Sequence, residues 1–204
     1  MGSSTWKYMT LFLFSLVFLA CGSKSFNTKD EMVSYLQEAD NGYHFKKSIK
    51  GIDFSLTYRP TDLMVSQLMD ETPEPTRVEK LRREYGQYLY FNLGMSSNGK
   101  ELLIQKAQNR AEYGAKVHQL SFGMADKVIL TDQKRDTLPL LDYTYPRMYG
   151  MGRSTNLLLV YKKEYEAMQQ DHLFLTVKDL GYGTGEVTFK IDTKKLKNQP
   201  QLKV

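Results

Sequence analysis

Three histidines, one cysteine and a run of three closely spaced glycines are the features of this sequence whose residue types could support chemistry. His44, His118 and His172 stand apart, and no pair repeats at the spacing that puts two imidazoles on one helix face, so no metal site is expected. Gly181-Tyr182-Gly183-Thr184-Gly185 has the glycines of a phosphate-cradling loop, but such a loop needs G-x-G-x-x-G between a strand and a helix. Here the third glycine comes one place early and a strand-like segment follows, so a turn is expected. Gly152-Arg153-Ser154 lacks the lysine of a nucleotide loop and has Arg147 where the first glycine belongs. No G-x-S-x-G nucleophile elbow occurs. Two carboxylates about 5–10 Å apart suffice for glycoside hydrolysis, but the sequence singles out no pair. No catalytic residue and no cofactor is therefore assigned; a carboxylate-based hydrolase stays open as an alternative.

The segment 143–153 (YTYPRMYGMGR) is the candidate contact surface. Tyrosine, methionine and arginine offer large contact area with a polar handle and are enriched at interface cores. Tyr143, Tyr145, Arg147, Met148, Tyr149 and Arg153 are the residues expected to touch a partner, while Pro146, Gly150 and Gly152 mark an exposed loop.

Elements that must position these residues follow from periodicity. Thr28 and Glu31 have capping-box spacing ahead of Met32, Val33, Leu36 and Ala39, which predicts a helix over 29–40. Ile52, Phe54, Leu56 and Tyr58 alternate with polar residues up to Pro60, a half-buried strand. Lys50-Gly51 turns it back on a preceding strand. Thr61 or Asp62 is expected to cap a short helix, and Thr76 with Glu79 a second one ending near Gly86. Residues 87–95 read as a central strand, aromatic on both faces. Residues 100–120 fit helix or strand equally. Short apolar runs at 120–124, 128–130, 138–145, 157–161, 173–177 and 187–191 follow without the regular strand–helix alternation of a doubly wound fold. The expected class is α+β, mostly β: an antiparallel sheet or β-sandwich with a few short packed helices.

The N-terminus carries an address. Lys7 precedes the apolar run 11–20 (LFLFSLVFLA), which is long enough for a signal-peptide core and too short for a transmembrane helix. Phe18-Leu19-Ala20-Cys21 resembles the bacterial lipobox, with Phe18 where leucine is usual and Leu19 where a small residue is usual. The resemblance implies cleavage before Cys21 and a diacylglyceryl group on its sulfur. It divides the chain into a signal peptide (1–20), a lipid-anchored tether (21–27) and one globular domain (28–204). Gly22, in place of an aspartate, favours the outer membrane. Ala20-Cys21-Gly22 is also an A-x-G site, so cleavage after Gly22 and secretion of a soluble protein remains the alternative. In style the chain is similar to Bacteroidota lipoproteins, a likeness that implies location and no activity.

Composition agrees with a folded domain: 41% hydrophobic residues with 14 tyrosines and 10 phenylalanines exclude a disordered chain. The net charge of +5 is dispersed, so no nucleic-acid partner is expected. Small lysine clusters at 46–50 and 194–203 suit a solvated surface or anionic headgroups. The expected function is a membrane-anchored, non-catalytic module of the cell envelope that binds another envelope protein. A surface module capturing a glycan or peptide on exposed tyrosines is the second reading.

Overall fold

The structure, a computed structural model, describes residues 23–69 and 74–203. The expected signal peptide, with Cys21, lies outside them. Within the described residues the chain is α+β, with two antiparallel sheets joined by one core.

The first sheet has the order β2-β3-β4-β9-β8, made of β2 (His44–Ile49), β3 (Ile52–Arg59), β4 (Tyr88–Ser97), β9 (Thr155–Lys162) and β8 (Leu140–Thr144), with the short β5 (Lys100–Glu101) returning on the end of β4. Two tight turns set its register. Lys50 and Gly51 have φ of 51° and 73°, and Asn98 and Gly99 have φ of 52° and 67°. Two successive left-handed residues match the twist of the flanking strands, which is why a lysine and an asparagine tolerate that region beside a glycine. Residues 88–97 do form the central strand expected from the sequence, held by β3 on one side and β9 on the other.

The second sheet runs β11 (Val187–Asp192), β10 (His172–Val177), β6 (Val128–Thr131) and β7 (Thr137–Leu138). The run 138–145, read as one apolar stretch, is divided between the sheets. Leu138 pairs with Leu130 in the second sheet, and Leu140 pairs with Tyr161 in the first. Pro139 sits at the crossing, where its missing N–H leaves no ladder position empty, and its carbonyl accepts from Lys162 N at 3.1 Å.

The inner faces merge in a single core. Leu56, Tyr58, Phe91, Leu93, Leu157, Leu159 and Tyr161 come from the first sheet, and Leu130, Leu173, Leu175, Val187, Phe189 and Ile191 from the second. The Tyr161 hydroxyl, whose pKa burial raises, donates to Val128 O at 3.3 Å and so joins the sheets through a polar contact inside the core.

Short helices close the edges. In α1 (Lys29–Gln37) both halves of the Thr28–Glu31 capping box form, and Met32 and Leu36 are buried; the helix stops before the expected residue 40 and gives way to a 3-10 turn, Ala39–Asn41. α2 (Thr61–Val65) has Pro60 at its N-cap and therefore no side-chain cap; Thr61 and Asp62, the expected caps, lie inside its first turn. α3 (Pro75–Tyr85) begins with Pro75 in its first turn and Glu74 as N-cap, so the expected Thr76–Glu79 box is replaced. The ambiguous 100–120 region is helical: α4 (Leu102–Lys106) and α5 (Arg110–Phe122), the latter capped by Asn109, whose side chain accepts from Glu112 N. The apolar run at 120–124 ends α5 and is not a strand. α6 (Tyr165–Gln169) and α7 (Thr193–Lys197) complete the set.

The ends of the body are knitted together. β1 (Ser25–Phe26) pairs in parallel with β12 (Gln201–Leu202), so two residues of the expected tether belong to the fold. They are held because Gln201 N donates to Lys24 O and Lys203 N to Phe26 O, both at 2.9 Å, and Phe26 is buried. β12 is fixed in turn by a fork. Arg82 Nε and Nη2 donate to Asp62 Oδ1 and Oδ2 at 2.8 and 2.9 Å, Arg82 Nη2 also reaches Leu202 O at 3.0 Å, and Leu202 N donates to Asp62 Oδ2 at 2.8 Å. Beside it Gln199 Oε1 accepts from Tyr58 Oη and Thr61 N. Asp62→Ala is expected to cost about 3 kcal/mol, the scale of breaking a bidentate pair with a buried carboxylate. A urea midpoint unchanged from wild type contradicts this account of the C-terminal lock.

Candidate functional site

Period-two alternation leaves the outer face of the first sheet to polar residues. On β3 these are Asp53, Ser55, Thr57 and Arg59, each between buried neighbours. The register lines them up across strands: Lys46 opposes Ser55, Ser55 opposes Gly94, and Gly94 opposes Asn156. The result is a groove of about 480 Å³, lined by Lys46, Ser48, Asp53, Ser55, Gly94, Ser96, Arg153 and Ser154, with Lys47, Phe54 and Gly99 at its margin.

Gly94 makes the floor deep. Its φ is not in the left-handed region, so the glycine is needed for space and not for backbone freedom. A Cβ there would lie 2.5 Å from Ser55 Oγ and 3.1 Å from Asn156 Oδ1. Asn156 is itself set in place: its Oδ1 accepts from Ser154 Oγ at 3.0 Å and its Nδ2 donates to Ser154 O at 3.1 Å. Among the described residues Ser55 Oγ, Lys46, Arg153 and Asp53 have no hydrogen-bond or ion-pair partner. Farther along the same face His44 Nδ1 lies 2.7 Å from Thr57 Oγ1, and burial together with the Lys46 charge pulls the His44 pKa down. Where α1 meets this face, a cavity of about 100 Å³ adjoins Arg59. Arg59 Nε is buried without a hydrogen-bond partner, and burial lowers that guanidinium's pKa.

The loop after β8 borders the groove. Glu101 is only 4% exposed, and its Oε1 accepts from Gly150 N at 3.1 Å and Gly152 N at 2.8 Å. This carboxylate holds the loop in a shape in which Tyr149 and Gly150 both have positive φ. The six residues expected to form one contact surface are divided by it. Tyr143 and Tyr145 pack half-buried against the core. The Tyr143 hydroxyl accepts from Met124 N at 3.3 Å, and burial, with Glu101 nearby, pushes the Tyr145 hydroxyl up to about 12. Arg147 lies over the Tyr149 ring at 4.9 Å. Met148 and Tyr149 are exposed, with Met151 (79% exposed) and Ile104 (46%) beside them in an apolar patch. Arg153 turns away from this group to the groove. Sequence reasoning missed Glu101, Lys46, Ser55, Gly94 and Asn156; the one signal available was the strict alternation of β3.

The histidines stay apart, on β2, α5 and β10, and no group of three or more potential metal ligands occurs among the described residues. The glycine run 181–185 is a turn between β10 and β11. Its backbone donors are already taken: Asp179 Oδ1 accepts from the N–H of Gly181, Tyr182 and Gly183 at 2.9–3.1 Å. Lys116 adds a bond to Leu180 O and lies over the Tyr182 ring at 4.5 Å. An Asp carboxylate thus occupies the place a phosphate would need. Desolvation pulls the Asp179 pKa up, but four backbone N–H donors outweigh it and hold the carboxyl below its usual value.

No family model matches the chain, and no curated protein matches it. A crystal structure of a novel protein of unknown function from Burkholderia pseudomallei K96243 is similar, with 10% identity and a TM-score of 0.41, covering 81% of this chain and 86% of that one. At that score the likeness carries no argument.

Two outcomes follow from these contacts. Glu101→Ala is expected to cost about 2 kcal/mol, the scale of hydrogen bonds to a charged group, and to speed proteolysis within 147–153; limited digestion followed by mass spectrometry reads it. Because the Asp179 carboxyl titrates lower when folded than unfolded, its contribution is present above about pH 4 and is lost as pH falls through the folded value. Thermal melts should therefore show Asp179→Asn less stable than wild type at pH 7, with the gap narrowing as the pH falls below about 4. A gap that stays constant with pH contradicts the assignment.

Proposed function

We propose that the chain is a lipid-anchored module of the bacterial cell envelope, on the outer membrane by its Gly22, which binds its ligand in the groove over Gly94 and performs no chemistry on it. The observation that carries the reading is the closeness of the folded body to the lipobox cysteine. Ser25 already pairs with Gln201, so only Gly22, Ser23 and Lys24 separate Cys21 from the fold. Such a leash spans at most about 14 Å. Lysines gather where it leaves the body: Lys24 lies over the Tyr35 ring at 4.1 Å, Lys195 over Tyr43 at 5.9 Å, and Lys203 sits one residue beyond β12. Each lysine near an anionic surface adds about 1 kcal/mol. Among the described residues no helix is long and apolar enough to cross a membrane.

The groove supports binding by its lining. Ser55, Ser96 and Lys46 come from strands, Arg153 and Ser154 from the loop before β9, and the Asn156 amide lies beside Gly94; Asp53 is the one carboxylate among the lining residues, whereas the hydrolase reading needs two. The exposed patch of Ile104, Met148, Tyr149 and Met151 is the surface offered to an envelope protein.

Intact mass and membrane fractionation of wild type beside Cys21→Ser test the anchor. The expected wild type carries a diacylglyceryl adduct and pellets with membranes, while the variant does neither. Soluble products beginning at Ser23 from both chains overturn the anchor and return the secreted alternative.

A further inference from the structure

We propose that the groove over Gly94 holds an acidic saccharide: a sugar unit bearing a carboxylate, sulfate or phosphate. The inference rests on the groove being the binding site and names the chemistry it selects.

The floor calls for a partner that both donates and accepts at close spacing. Ser55 and Ser96 present hydroxyls that can donate and accept, while Ser154 and the Asn156 amide, bonded to each other, keep acceptor lone pairs and one amide N–H for a ligand. Ring hydroxyls of a sugar have the same dual character. An extended peptide adding to the sheet is disfavoured over the floor itself, because β3 and β4 each have strands on both sides and their backbone groups are spent in the ladder, and the free edge of β2 lies at the rim. The rim supplies the second half of the match. Lys46 and Arg153 carry two positive charges without partners against the single negative charge of Asp53. A guanidinium fork suits a carboxylate, sulfate or phosphate in two parallel hydrogen bonds. The groove, about 480 Å³ in volume, lies within the range of small-ligand sites.

The test is calorimetric titration of the full chain in detergent with four probes. These are a galacturonic acid trimer (carboxylate), a heparin-derived disaccharide (sulfate), glucose 6-phosphate, and a neutral galactose trimer, with a glutamate tetrapeptide as the acidic non-sugar control. At least one acidic sugar should bind, and the neutral trimer should bind about tenfold or more weakly in comparison. Lys46→Ala and Arg153→Ala, both at exposed side chains, should each weaken binding about tenfold, the scale of a lost charged hydrogen bond. Gly94→Ala should weaken it by filling the floor; a thermal melt separates that from unfolding, and the two charge variants keep the test open if it does unfold. Which acidic probe binds identifies the source of the anionic group. Equal binding of the neutral trimer, or binding that survives Lys46→Ala and Arg153→Ala, overturns the proposal. Binding of the glutamate peptide alone, abolished by Arg153→Ala, overturns the saccharide and leaves the site standing. No binding by any probe brings down both.

Discussion

Strand β4 has hydrogen-bonded neighbours on both sides, and this constraint governs the rest of the molecule. A central strand has only two directions in which its side chains can point, and it gives each residue to one of them in turn. Leu89, Phe91, Leu93 and Met95 take the inner direction and meet the second sheet in the core. Tyr90, Asn92, Gly94 and Ser96 are thereby committed to the outer face, whatever the packing on the inside. Core and groove are two sides of one register. A slip by a single residue would put Gly94 in the core and Leu93 in the groove, so the burial of the inner face also holds the floor of the outer one.

The outer face is not uniform. At one end Tyr90 is buried: its ring stacks on Tyr85 at the end of α3 with centroids 6.3 Å apart, and its hydroxyl donates to Tyr85 O. At the other end small residues leave the sheet open. The helices therefore cover the aromatic end and stop short of the serine-rich one. The loop held by Glu101 forms a wall there, its backbone N–H groups at Gly150 and Gly152 bonded to one buried carboxylate oxygen.

What the sequence revealed depended on how local the signal was. The capping box at Thr28 and the alternation of β3 need only a few consecutive residues, and both were readable. α6 and α7, five residues each, are too short to show a helical period. The helix pair α4 and α5 was ambiguous because its alanines repeat every four residues while Gly114 interrupts them, and the chain breaks at 107–109 between the two. At Thr76 the expected capping box does not form, since Glu74 is the N-cap and Pro75 starts the helix two residues earlier than a Thr76 cap would. The groove was half visible. Ser55 and Asp53 could be assigned to an outward face, but the row from Lys46 to Asn156 needs four strands in register, separated by more than a hundred residues. Glu101 gave no signal, because its partners lie about fifty residues away in the chain.

The molecule treats its charges in two ways, and the contrast bears on what the groove is for. Where a carboxylate is buried, the fold supplies it with donors: Asp62 has the Arg82 fork and Leu202 N, and Glu101 has two backbone donors on Oε1. Leaving such a group bare would cost several kcal/mol. Lys46, Asp53 and Arg153 are exposed, water satisfies them, and their lack of partners costs the fold little. Packing therefore places no demand on charge at these positions, and removing it should leave the core and both sheets unchanged. These two cations and the hydroxyls beside them are the groups on which the proposed binding site rests, and they can be changed without touching the core.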